Sequence, residues 1–301
     1  MTGAAPSSQV GGHSIAEQPA AADYGLVGPN SVTWQLHADP AMWLAGIRSL
    51  YLQALHPRAV AGVVQNSDFR RDPFGRLMRT ATFVALSTYG TREEVDKAAA
   101  KVRRIHRTLR ARDPETGETF RIDEPELLRW VHCAEVASFL SVVRRAGFPL
   151  TRAHADGYFA EQRATAALVG LDPADVPGSV AEMSAYFHDM RPRLRRTPEA
   201  DAIYAFLHRP PVSGLLALGV RLYEPAVGHL SYSLLPAWAA RLYGRRAYPA
   251  AAATLGLRAL RRAALSVPGG VRLGRQEPHP VIAVRRLGTW ATPSPKRLPA
   301  L

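Results

Sequence analysis

The chain has 301 residues, 47% of them apolar, a formal charge of +13 and a single cysteine. That length allows one large domain or two small ones, and the apolar fraction is enough for a true core. One cysteine excludes an internal disulfide framework and any multi-cysteine metal site, so Cys133 reads as a small apolar filler on a buried helix.

Residues 1–30 read as a disordered segment, rich in Ala, Ser, Gly and Pro over the first 24 positions. No basic region followed by an apolar stretch marks a secretory signal there, and the expectation is a cytoplasmic protein. The first helix is expected near Asp39-Pro40 and runs through Trp43, Ile47, Leu50, Tyr51 and Ala54 at helical spacing. His56-Pro57 interrupts it, because a residue before proline is pushed out of the α region. A short helix then carries Ala59, Val60, Val63 and Val64.

Asn66-Ser67-Asp68 is a loop signal, and Asp72-Pro73 reads as an N-cap with proline at the first helical position. The helix it opens carries Arg76, Arg79, Thr80, Phe83, Val84 and Leu86, and Gly90 ends it. Thr91 caps the next, with Glu93 and Glu94 in its first turn and Val95, Val102, Ile105, His106 and Leu109 along it. Asp113 to Asp123 is a turn or small hairpin. Asp123-Glu124-Pro125 opens a long apolar helix through Trp130, His132, Val136, Phe139 and Val143, closed by Gly147-Phe148-Pro149.

Further helices are expected over 152–168, 179–190, 198–207, 214–223, 226–235, 237–243 and 250–264. The stretch 214–236 is the nearest approach to a membrane span. Arg221, Glu224, Pro225 and His229 interrupt it, which favours a helical hairpin. Strand-like alternation is nearly absent, so the class is all-α, with one multi-helix domain over 31–265. Residues 266–301 read as a disordered basic tail. Arg272, Arg275, Arg285, Arg286, Lys296 and Arg297 stand there against Glu277. Such a tail can solubilise the chain or touch an anionic membrane surface. Nucleic acid is a weaker reading, which would require binding that falls steeply with salt.

His106 and His132 both sit on apolar helix faces, where a histidine is either a packed core residue or a ligand. No His-Glu-x-x-His, di-iron carboxylate spacing or Cys/His zinc pattern occurs. One histidine per iron is what such a chain offers, which suits haem with a single axial imidazole. Arg76, Arg79 and Thr80 place two cations and a hydroxyl on one stretch of helix, either an anion site or a solvated basic face. No nucleophile elbow or phosphate-binding glycine loop supports hydrolase or nucleotide chemistry.

In order, Leu55-His56-Pro57, Asp68-Phe69, Asp72-Pro73-x-Gly75-Arg76-Leu77-x-Arg79-Thr80, Tyr89-Gly90-Thr91, Val102-x-x-Ile105-His106 and Asp123-x-Pro125-Glu126-Leu127-Leu128-x-Trp130-Val131-His132 resemble the mpaB/latex-clearing-protein (rubber oxygenase) family, over about residues 30–260. The resemblance implies an all-α fold with a globin-like core and haem b. It places Arg76 and Thr80 close to the haem and maps the iron ligand onto His106, with His132 as second choice. Two departures stand out. Arg79 occupies the position of a lysine that can ligate iron in the latex-clearing proteins, and a guanidinium has no lone pair for iron. The catalytic glutamate of those proteins has no counterpart between Ala59 and Val64.

Two functions are therefore in view. The first is a haem-dependent oxygenase that uses dioxygen, with Arg76, Arg79 and Thr80 as catalytic residues, on a hydrophobic isoprenoid or other alkene. The second is a non-catalytic helical module that binds a lipid or small ligand.

Overall fold

The computed structural model describes residues 22–66, 73–210, 216–267 and 277–301. Its helices are α1 (Val32–His37), α2 (Met42–Gln53), α3 (Pro57–Asn66), α4 (Pro73–Tyr89) and α5 (Arg92–Thr108). A hairpin of β1 (Arg110–Arg112) and β2 (Thr119–Arg121) follows. Then come α6 (Pro125–Arg145), α7 (Arg152–Leu168), α8 (Val180–Met190), α9 (Pro198–His208), α10 (Leu216–Tyr223), α11 (His229–Ser233), α12 (Ala237–Tyr243), α13 (Ala250–Ser266) and α14 (His279–Leu287). The class is all-α, as the pattern predicts.

Helix α6 is the axis of the molecule. It is apolar almost all round, which is the signature of a helix enclosed by others. One side, with Val136, Phe139 and Val143, packs with Leu44 of α2 and Tyr158 and Phe159 of α7. The other, with Trp130 and Ala134, packs with Tyr51 and Leu52 of α2, Ile203 and Leu207 of α9, and Tyr232 and Tyr243. Helix α2 lies along α6 and is tied to it by polar bonds. Trp130 Nε1 donates to the Gln53 carbonyl at 3.0 Å, and Gln53 Nε2 donates to the Val131 carbonyl at 3.2 Å.

The local signals act as expected at several ends. Thr91 accepts from the Glu94 amide while Glu94 accepts from the Thr91 amide, a closed capping box. Ser179 and Thr197, not singled out in the sequence, also cap α8 and α9. Residues Asp113 to Asp123 do form a hairpin, with Ala111 opposite Phe120. Asp123 pairs with Arg121 rather than capping α6, and the N-cap residue Glu124 reaches Arg58 instead. Helices α10 and α11 join through a π-helical turn, Glu224–Gly228, which absorbs Pro225. Among the described residues no helix is long and apolar enough to cross a membrane. Asp68-Phe69 and the expected cap Asp72 lie outside the described residues.

Both expected boundaries need correction. From residue 22 the N-terminal segment is already packed. Asp23 accepts from the amides of Gly25 and Arg92, each at 2.8 Å. Gly25 has φ +73°, and a Cβ there would stand 2.2 Å from the Gly90 carbonyl oxygen, so only glycine passes. At the other end, residues 277–301 are not a loose tail. Helix α14 lays Ala283 and Leu287 against Trp34 and Tyr89. Trp34 Nε1 donates to the Ala291 carbonyl at 2.9 Å, and the Ser294 amide donates to Gln35 Oε1 at 2.7 Å. Arg285 pairs with Glu277, and Arg286 donates to the Tyr89 carbonyl. The basic composition of the segment hid a buried stripe of four residues' spacing, Ala283 and Leu287, from the sequence reading.

Leu287→Ala is expected to lower the unfolding free energy by about 2–3 kcal/mol, read by urea denaturation. A loss under about 0.5 kcal/mol would mean that the segment contributes no core.

Candidate functional site

A cavity of about 80 Å³ lies where α1, α4, α5, α6 and α7 converge. Its apolar wall includes Phe83, Val84, Leu128, Val136 and Phe139. His106 comes to it from the last turn of α5, and His132 from the middle of α6. The two histidines singled out in the sequence therefore meet at one cavity.

Each carries a buried ring nitrogen without a partner, Nδ1 of His106 and Nε2 of His132. Burial lowers the His106 pKa, partly offset by Asp123. It pushes His132 down to about 4, offset in part by a backbone bond to Gln162. Both imidazoles are thus neutral near pH 7, and a neutral imidazole is a ligand with a lone pair.

Glu135 lies one turn beyond His132 and also lines the cavity. Burial raises its carboxyl to about 7, so it can give or take a proton at neutral pH. His132, Glu135, Val136 and Phe139 are spaced i, i+3, i+4, i+7, which puts them on one face of α6. Sequence reasoning passed over Glu135, although it is the one acid between Leu127 and Arg145.

His37, also missed, closes the cavity from α1. Its tautomer follows from its neighbours. Thr88 Oγ1 donates to the Val84 carbonyl at 3.0 Å, so it must accept from His37 Nδ1 at 2.8 Å. His37 Nε2 then accepts from the Tyr158 hydroxyl at 3.1 Å. Burial drives the His37 pKa to about 3. With both nitrogens occupied, His37 is a wall residue. No signal in the sequence marked it, because the six-residue α1 is too short to show a period.

Of the other expected residues, Arg79 and Thr80 do not line this cavity. Arg79 and Thr80 lie on α4 and are exposed. Thr80 is four residues before Val84, hence on the cavity-facing side one turn farther out. The side chain of Arg76 lies outside the described residues. Cys133 is buried, and burial pushes its thiol up to about 12, an inert filler as expected.

Acidification should destabilise the protein. Burial holds His37 near 3, and His56 and His208 near 4, all below the ordinary 6.5. Below pH 6.5 the unfolded chain takes up protons that the folded chain refuses, so stability falls between about pH 6.5 and 4. Each such histidine contributes at most about 1.4 kcal/mol per pH unit. A flat melting temperature from pH 7 to 5 would contradict this. Glu135 has the opposite sign, since the folded state keeps a proton that the unfolded state releases as pH rises from 4.5 to about 7. Glu135→Gln should therefore raise the melting temperature by about 2–4 °C at pH 8 and leave it unchanged at pH 4, as read by calorimetry.

No curated protein and no solved structure matches the chain. A family model does, over residues 34–265, and its description is "ER-bound oxygenase mpaB/B'/Rubber oxygenase, catalytic domain". The matched span runs from α1 to α13 and contains the cavity with His106, His132 and Glu135. By that match the chain belongs to the mpaB/rubber oxygenase family, a family of oxygenases.

Proposed function

We propose that the protein is a haem b-dependent oxygenase acting with dioxygen on a hydrophobic substrate of the isoprenoid or other alkene class. The observation that carries this is the convergence of His106 and His132, each with an unshared buried nitrogen, on one apolar cavity in a member of an oxygenase family.

The donor chemistry fits an axial haem ligand: a neutral imidazole, a dry wall and a free ring nitrogen. His106 is the preferred ligand and His132 the second. The space is the stricter condition. Pockets for small-molecule ligands run to about 300–1,000 Å³, well above the 80 Å³ enclosed here, so a porphyrin would require the helices around the cavity to part. Thr80 and Arg79, one turn out along α4, would then border the same space.

Bound haem would supply dioxygen activation, with the electrons of oxygen insertion coming from the alkene. The chain's own part is to ligate, to exclude water and to position. Leu128, Val131 and Phe139 keep the cavity apolar. Glu135, with a carboxyl near 7, holds a proton at the cavity wall and supplies the general base that the stretch Ala59 to Val64 lacks. Arg79 donates hydrogen bonds and cannot ligate iron.

The test is an absorption spectrum of the protein reconstituted with haemin. Wild type should show a Soret band, and His106→Ala should lose it while His132→Ala keeps it. Loss only in His132→Ala keeps haem and moves the ligand to α6. A wild type that stays colourless and gains no thermal stability from haemin overturns the proposal and leaves the non-catalytic binding module.

A further inference from the structure

A second and larger concavity, about 520 Å³, opens on another face of α6. Ala137, Leu140, Ser141 and Arg144 line it. At about 100° per residue they point away from His132, Glu135 and Phe139. Phe159 of α7, Phe187 of α8 and Trp238 of α12 stand opposite as the aromatic part of its apolar wall. The volume lies in the ordinary range for small-molecule sites.

Its charge is one-sided. Arg48, Arg144 and Arg145 line it, and among the described residues no acid does. Arg48 is only 5% exposed. Its Nε donates to the Leu234 carbonyl at 2.9 Å, and its Nη1 donates to Ser138 Oγ at 2.6 Å. Among the described residues nothing accepts from Nη2 and no carboxylate pairs with the guanidinium. By contrast, Arg261, the other deeply placed arginine, is paired with Asp39 at 2.7 Å. Arg145 is held by neutral acceptors, Thr254 Oγ1 at 2.9 Å and the Ala250 carbonyl at 2.8 Å. Burial and the nearby Arg145 lower Arg48 to about 10, so it stays a cation at neutral pH. A buried cation without a counter-ion is costly, and an anion delivered by a ligand removes that cost.

We propose that this groove binds an amphipathic anion, with a compact carboxylate or phosphate head on Arg48, Arg144 and Arg145 and a hydrocarbon body along Leu140, Phe159 and Phe187. The planar guanidinium fork suits either head group. The apolar wall supplies affinity in proportion to the hydrocarbon buried. The site lies on a different face of α6 from the oxygenase cavity and does not rest on haem.

The test uses the full chain with dodecanoate, dodecyl phosphate, dodecanol, acetate and inorganic phosphate, each below its micellar concentration. Trp238 fluorescence and the melting temperature are read. Dodecanoate or dodecyl phosphate should change the fluorescence saturably and raise the melting temperature, and the tighter of the two identifies the head group. Dodecanol, acetate and inorganic phosphate should do neither. Arg144→Glu, at an exposed rim position, should weaken binding at least tenfold with an unchanged melting temperature of the free protein. Ser184→Trp should block the groove, and Trp238→Phe should remove the signal. His132→Ala should bind as wild type does, which separates this site from the haem site. Equal binding of dodecanol, no saturable response to either anion, or unchanged affinity in Arg144→Glu would each overturn the proposal. If Arg48→Met folds, it should abolish binding of the anions.

Discussion

Helix α6 is enclosed on nearly all sides, so the polar groups it buries need partners inside the protein. Ser138 shows how strict this is. Its hydroxyl donates to the Ala134 carbonyl at 2.6 Å and accepts from Arg48 of α2. Trp130 is answered by the backbone of α2. At His132 one ring nitrogen goes unanswered, and a cavity adjoins it. Buried polar atoms without partners are scarce in folded proteins, so one that faces a cavity is a candidate contact for a ligand.

The same enclosure explains why one helix can serve two sites. A helix with a single buried stripe gives one face to function. Because α6 is packed all round, its turn period distributes residues to separate compartments. His132 and Glu135 go to the cavity against α4 and α5, whereas Leu140 and Arg144 go to the groove against α8 and α12. The cavity is small and closed by helices, and it gathers neutral imidazoles and a carboxyl near neutrality. The groove is larger and gathers cations. The two kinds of chemistry are kept apart by the thickness of one helix.

Much of this was legible in the sequence. Helix starts written in local chemistry, such as Thr91 with Glu94, need no tertiary partner and could be read directly. His106 and His132 stood out as polar residues on apolar faces. What escaped were features whose cause is nonlocal. Helix α1 is six residues long and is held by Glu161, which accepts from the Val32 and Thr33 amides at 2.9 and 2.8 Å. Glu135 is ordinary in composition and becomes unusual only when neighbouring helices strip it of water. The segment after 276 reads as a basic tail, because two buried positions in α14 are too few to show against its arginines.

The closure of Trp34 by the C-terminal segment sets a limit on how the chain is made. Trp34 is fully buried, and its indole nitrogen bonds a carbonyl 257 residues away. During synthesis that partner is still untranslated while α1 to α13 emerge. Trp34 and Tyr89 therefore stay open to solvent until the segment that carries Ala283, Leu287 and Ala291 has left the ribosome. Contacts of such long sequence separation are also the slowest to form, since the closure entropy precedes any gain. Helix α14 and the turn after it thus complete the packing around Trp34, and a chain cut short before them presents an indole and a phenol ring that invite chaperone capture.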